Sequence, residues 1–85
     1  MKLTIQKIEY DITHMDDGTV AKTGGKRIGE YFEEEEPVPG LDVKEAKRRF
    51  VSKVALRVKN INRSAEERCK FQKSSKLTLL IITNV

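Results

Sequence analysis

Eighty-five residues and 9.7 kDa allow one small domain, 1–85, and exclude a multidomain enzyme. Seventeen Lys+Arg against 13 Asp+Glu give a net charge of +4, and the hydrophobic 38% is clustered and periodic, which excludes a wholly disordered chain. The single Cys69 excludes a disulfide-stapled miniprotein, and no apolar run reaches the ~18 residues of a membrane span.

Residues 2–13 read as a strand. Leu3 and Ile5 alternate with polar residues, then Ile8, Tyr10 and Ile12 alternate on the opposite parity. Side chains strictly alternate faces, so the change of parity predicts a bulge near Gln6-Lys7. Asp16-Asp17-Gly18 is a hairpin turn signal, because Gly accepts positive φ. A short return strand is expected over 19–22, a second turn over Thr23-Gly24-Gly25-Lys26, and a third strand over 27–34 with Ile28, Tyr31 and Phe32 as its apolar members.

Residues 33–40 form an acidic, Pro-rich connecting loop. Glu33, Glu34, Glu35 and Glu36 repel one another, and Pro37 and Pro39 remove backbone donors. A helix follows. Asp42 with Glu45 has capping-box spacing, and both acids lie at the positive end of the helix dipole. Val43, Ala46, Phe50, Val54, Val58 and Ile61 recur at intervals of 3 or 4 and share one side. Leu56 points to the polar side; the rival reading makes Val54, Leu56 and Val58 a strand. The helix is expected to end near residue 60, ~28 Å from its start. Asn60 and Asn62 suit its end, and Ser64 with Glu67 predicts a second short helix over 65–72.

Leu77 to Ile82 is a nearly continuous apolar run, which reads as a strand buried on both faces. It is expected at the centre of the sheet, beside the N-terminal strand, with Lys73 and Lys76 as aggregation gatekeepers. The order β-β-β-α-β predicts a small α+β two-layer sandwich. It has an antiparallel sheet of three to four strands and one long amphipathic helix packed on one face.

Chemistry has little raw material here. His14 and Cys69 are the lone His and Cys, 55 positions apart, and nothing in the sequence brings them together as a dyad. Zinc wants four ligands, largely Cys and His, and the acidic residues lack calcium-loop spacing, so no metal is expected. Gly24-Gly25-Lys26-Arg27 lacks the Ser/Thr and the glycine spacing of a phosphate loop. No enzyme activity and no cofactor are expected.

Charge is the informative feature. Residues 1–40 hold five Lys/Arg and nine Asp/Glu, a net −4; residues 41–85 hold twelve and four, a net +8. Lys44, Arg48 and Lys59 fall opposite Val43 and Phe50. Arg49, Lys53 and Arg57 line one flank, and Arg63, Arg68, Lys70 and Lys73 continue the charge.

Clusters of this kind bind phosphates by counterion release and hydrogen bonds. The first expectation is therefore a non-enzymatic accessory protein on nucleic acid, with Lys44, Arg48, Arg49, Lys53, Lys59 and Arg63 as the contacts. About five neutralised phosphates would give a log–log salt slope near −4.5 on duplex. Aromatic platforms for single strands are few: Tyr10, Tyr31, Phe32, Phe50 and Phe71.

The alternative is a protein-binding inhibitor or adaptor, of the kind phages and mobile elements encode, with Glu33, Glu34, Glu35 and Glu36 at the contact. That acidic run also reads as a solvated loop, as a phosphate mimic, or as a segment docked on the chain's own basic helix. A third reading is a homodimer through an unpaired edge strand, for which the short 19–22 strand is a candidate. One free cysteine and a start that leads straight into a strand, with no cleavable signal, point to the cytoplasm and away from a membrane.

Overall fold

Asp17 organises the first reversal of the chain. Its carboxylate accepts the Thr19 amide at 2.9 Å and the Thr19 hydroxyl at 2.6 Å, and Gly18 turns the chain at φ +88°. β1 (Lys2–His14) thus returns as β2 (Val20–Glu34) in this computed structural model, which describes residues 1–84.

β2 is one strand of 15 residues, where two strands and a turn were expected. Gly24 (φ +95°) and Gly25 (φ +73°) take the left-handed conformation the sequence suggests, but inside the ladder, as part of an irregularity that does not reverse the chain. The Tyr10 ring lies where a side chain at Gly25 would sit, with Cε1 3.1 Å from the Cβ position. The ladder shifts register between Lys7 and Ile8 and between Glu9 and Tyr10, but the extra residues are Ile28 and Gly25 on β2, so β1 does not carry the bulge expected near Gln6-Lys7.

α1 (Val43–Cys69) is one helix of 27 residues, about 40 Å long. Asp42 caps it, accepting the Lys44 amide at 3.3 Å. The expected break near residue 60 and the separate 65–72 helix are replaced by continuous helix. No Gly or Pro lies between 43 and 69, and Asn60, Asn62 and Ser64 are weak helix formers, not breakers. Leu56 is 60% exposed, as the helical reading requires.

β3 (Ser74–Asn84) pairs antiparallel with β1, as expected, but the sheet order is β2-β1-β3, so β1 is central and β3 is an edge. The fold is α+β with three antiparallel strands and one helix, in the order β-β-α-β.

The β1–β3 register runs unshifted from Ile5↔Ile82 to Thr13↔Ser74. Alternation then fixes the faces. One face carries Ile5 with Leu80 and Ile82. The other carries Ile12 with Leu77 and Leu79. Phe50, Val54 and Val58 of α1 pack in a cluster with Leu3, Ile5 and Leu80, on the first face. Ala65 and Cys69 pack with Ile12 and Leu77, on the second. The two halves of α1 therefore cover opposite faces of the sheet.

Between the clusters the helix passes the β3 edge at Asn62. The Asn62 Nδ2 donates to the Leu80 carbonyl at 3.0 Å, and the Leu80 amide donates to Asn62 Oδ1 at 2.8 Å. The Leu77–Ile82 run is thus not buried on both faces. Leu77 and Leu79 serve one cluster, Leu80 and Ile82 the other, and Ile81 stays 42% exposed. Each face is left half open, and the Cα radius of gyration is 16.2 Å against about 12 Å for a compact chain of this length.

Candidate partner-binding surface

The acidic end of β2 and the basic helix meet. Glu33 lies opposite Leu3 in the ladder, on the face that the first half of α1 covers. Its carboxylate pairs with Arg57 at 3.2 Å, and Glu35 pairs with Lys53 at 3.4 Å. Glu33 and Glu34 belong to β2 itself, so the loop begins after them. Of the acidic run, Glu33 and Glu35 turn to the chain's own helix, while Glu34 and Glu36 make no ion pair among the described residues.

Glu45 holds the start of the helix. It accepts Arg48 at 2.6 Å and Arg49 at 3.1 Å, and these two bonds hold its carboxyl down to about 2. At the other end Glu66 pairs with Lys22 of β2 at 3.0 Å, and Glu9 of β1 pairs with Lys76 of β3 at 3.4 Å. These pairs lie at the surface, so each contributes little to stability and weakens with salt. Their consequence is electrostatic: the flank of Arg49, Lys53 and Arg57 is screened by the chain's own carboxylates.

The six candidate phosphate contacts thus divide. Arg48, Arg49 and Lys53 have carboxylate partners, while Lys44, Lys59 and Arg63 make no ion pair among the described residues. The last three are not contiguous. Lys44 lies with Lys47, Arg48, Val51 and Ser52 on the first turns. Lys59 and Arg63, one turn apart, stand where the helix crosses the sheet edge.

That crossing builds a corner. Ala55, Val58, Lys59, Asn62, Arg63 and Glu66 of α1 meet Leu80, Ile81 and Ile82 of β3 around a groove of about 600 Å³. Its floor is apolar and its rim carries the two unpaired cations and one carboxylate.

This chain matches no protein family, no curated protein and no solved structure.

His14 and Cys69, unconnected in the sequence, line one smaller pocket of about 280 Å³ with Ile12, Val20 and Leu77 under a rim of Lys22, Glu66 and Lys70. They are not hydrogen-bonded to each other. The Cys69 thiol lies 3.9 Å from the Ser75 hydroxyl and from the Lys76 carbonyl, and the buried His14 Nε2 has no partner among the described residues. The pair therefore lacks the contact that activates a thiol. Among the described residues, no group of three or more His, Cys, Asp or Glu could hold a metal, and no helix is long and apolar enough to cross a membrane.

Sequence reasoning missed the corner. Its one signal was Asn62, which continues the Phe50, Val54, Val58 spacing with a polar residue.

Proposed function

We propose that this chain is a non-enzymatic binding module that takes an acidic, partly apolar segment of a partner protein into the corner between α1 and β3. The reading rests on the apolar surface that Ala55, Ile81 and Ile82 leave accessible beside the buried Val58 and Leu80, beneath Lys59 and Arg63, which make no ion pair among the described residues. A phosphate backbone has no use for such a floor. An extended segment carrying carboxylates and apolar side chains uses both parts. Lys59 and Arg63 steer and orient, and the apolar floor supplies the buried area. A free, buried Cys69 fits a reducing cytoplasmic setting.

Nucleic-acid binding is the second reading, supported by Lys44 together with Lys59 and Arg63. Three phosphate contacts give a duplex salt slope of about −2.7, against about −4.5 for five.

Fluorescence anisotropy separates the two. The probes are a labelled peptide of alternating Glu and Leu and a labelled generic duplex, each at low and physiological salt. The peptide is expected to bind saturably, and a Lys59→Glu/Arg63→Glu variant to weaken it about tenfold, or 1.4 kcal/mol. Lys44→Glu is expected to leave peptide binding unchanged. Duplex binding tighter than peptide binding, falling steeply with salt, transfers the function to nucleic acid. No binding of the peptide overturns the proposal.

A further inference from the structure

The sheet has two edges, and they are treated differently. β3 is closed at its middle by α1, where Asn62 takes up the outward amide and carbonyl of Leu80. β2, 15 residues long, has no neighbouring strand on its outer side among the described residues. Long open edges invite pairing with another chain.

The backbone pattern of β2 says which groups are open. Met1 and Glu35 exchange two bonds, the Met1 amine to the Glu35 carbonyl at 2.8 Å and the Glu35 amide to the Met1 carbonyl at 3.0 Å. Antiparallel pairs alternate, so Glu33, Tyr31 and Gly29 also bond inward, while Glu34, Phe32 and Glu30 direct their amides and carbonyls outward. The side chains of these outward residues lie on the second face. Phe32 is 50% exposed there.

Charge then selects the partner. The basic residues Lys22, Lys26 and Arg27 occupy the first part of β2, and Glu30, Glu33 and Glu34 the last. A parallel copy would set like charges side by side. An antiparallel copy sets opposite charges together. The levels on β1 make the match specific. Lys22 is level with Ile12 and Glu34 with Lys2; Gly24 with Tyr10 and Phe32 with Thr4; Arg27 with Ile8 and Glu30 with Gln6. All three pairs are centred on the level of Lys7, so one two-fold axis there brings every pair together, on one face.

We propose that β2 pairs antiparallel with β2 of a second copy of this chain, joining the two sheets into one. Within one chain Lys22 pairs with Glu66 at 3.0 Å and Arg27 with Glu30 at 3.6 Å, both at the surface. In the dimer Lys22 of each copy also faces Glu34 of the other, Arg27 also faces Glu30, and Phe32 lies over Gly24 beside the Tyr10 ring. The inward ladder of β2 is untouched, and the interface meets the α1–β3 corner only through Glu66, the partner of Lys22. Lys59 and Arg63 take no part in it, so the interface does not rest on the proposed function.

Sedimentation equilibrium of the full chain is expected to show a dimer. Glu30→Lys/Glu34→Lys and Lys22→Glu/Arg27→Glu are each expected to sediment as monomers alone, since each sets like charges across the axis. Their equimolar mixture is expected to dimerise, because every pair is again opposite in sign. A monomeric wild type, or a mixture no more associated than its components, overturns the proposal.

Amide hydrogen exchange of the wild type needs no variant. Protection at Glu30, Phe32 and Glu34 is expected to rise about tenfold between dilute and concentrated protein, with Thr78 unchanged. Exchange independent of concentration at those three amides contradicts the interface.

Discussion

The carboxamide of Asn62 replaces a missing strand beside Leu80. It returns one donor and one acceptor to the outward amide and carbonyl of that residue, at 2.8 and 3.0 Å, as a neighbouring backbone would. This contact lets the helix leave one face of the sheet and continue on the other without stranding β3's polar groups. Asn62→Leu keeps the branching and the number of heavy atoms and removes both bonds. It is expected to cost about 1–3 kcal/mol in urea denaturation, the penalty for leaving partly buried polar groups unpaired. A change near zero would mean that water replaces Asn62 without loss.

Two clusters on opposite faces behave as separate cores. Ile5 and Ile12 belong to different ones and stand seven residues, roughly 23 Å, apart along β1. Ile5→Val and Ile12→Val are each expected to cost about 0.5–1.5 kcal/mol. The double variant is expected to equal their sum within about 0.5 kcal/mol, since they share no partners. Strong coupling in the double-mutant cycle would contradict a core divided at Asn62.

Much of this division is written in the chain, but ambiguously. The change of parity between Leu3-Ile5 and Ile8-Tyr10-Ile12 is visible, and a bulge is its simplest local explanation. The cause is a helix that changes face, and only the β1–β3 register reveals it. Leu77 to Ile82 looks doubly buried for the same reason. Its leucines and isoleucines change parity between Leu79 and Leu80, in step with β1. Asn62 resembles a helix end because Asn favours ends, and its partner is a backbone 18 residues away that no local pattern announces. The basic helix was legible from its spacing alone. That Glu33 and Glu35 screen its Arg57–Lys53 flank depends on which face of β2 the helix covers.

Glu45 supplies a pH signature. Its folded-state carboxyl titrates at about 2, held down first by the Arg48 bond and then by Arg49, against an ordinary 4.5. A depressed carboxyl stabilises the fold above its unfolded value and loses that contribution as pH falls through the folded one. Glu45→Gln is therefore expected to be less stable than the wild type at neutral pH. The difference should shrink from about pH 4.5 downward and vanish near 2. Thermal unfolding of both proteins across that range checks it, and a difference independent of pH would remove the ionic origin.

The screening of the helix flank predicts a gain of phosphate affinity. Glu33→Gln/Glu35→Gln frees Arg57 and Lys53 without touching either cation. Duplex binding measured against salt is expected to steepen by about 1.8 in log–log slope, the release of two further counterions. An unchanged slope would show that Glu33 and Glu35 do not compete with phosphate for the helix.

The proposed function is tested most directly by mapping where an acidic, apolar chain sits. Titrating the ¹⁵N-labelled protein with the alternating Glu–Leu peptide is predicted to move the amides of Lys59, Asn62, Arg63, Leu80, Ile81 and Ile82, leaving those of Lys44 and Arg48 in place. Shifts centred on Lys44 to Lys53, or no shifts at all, would contradict the α1–β3 corner as the binding site.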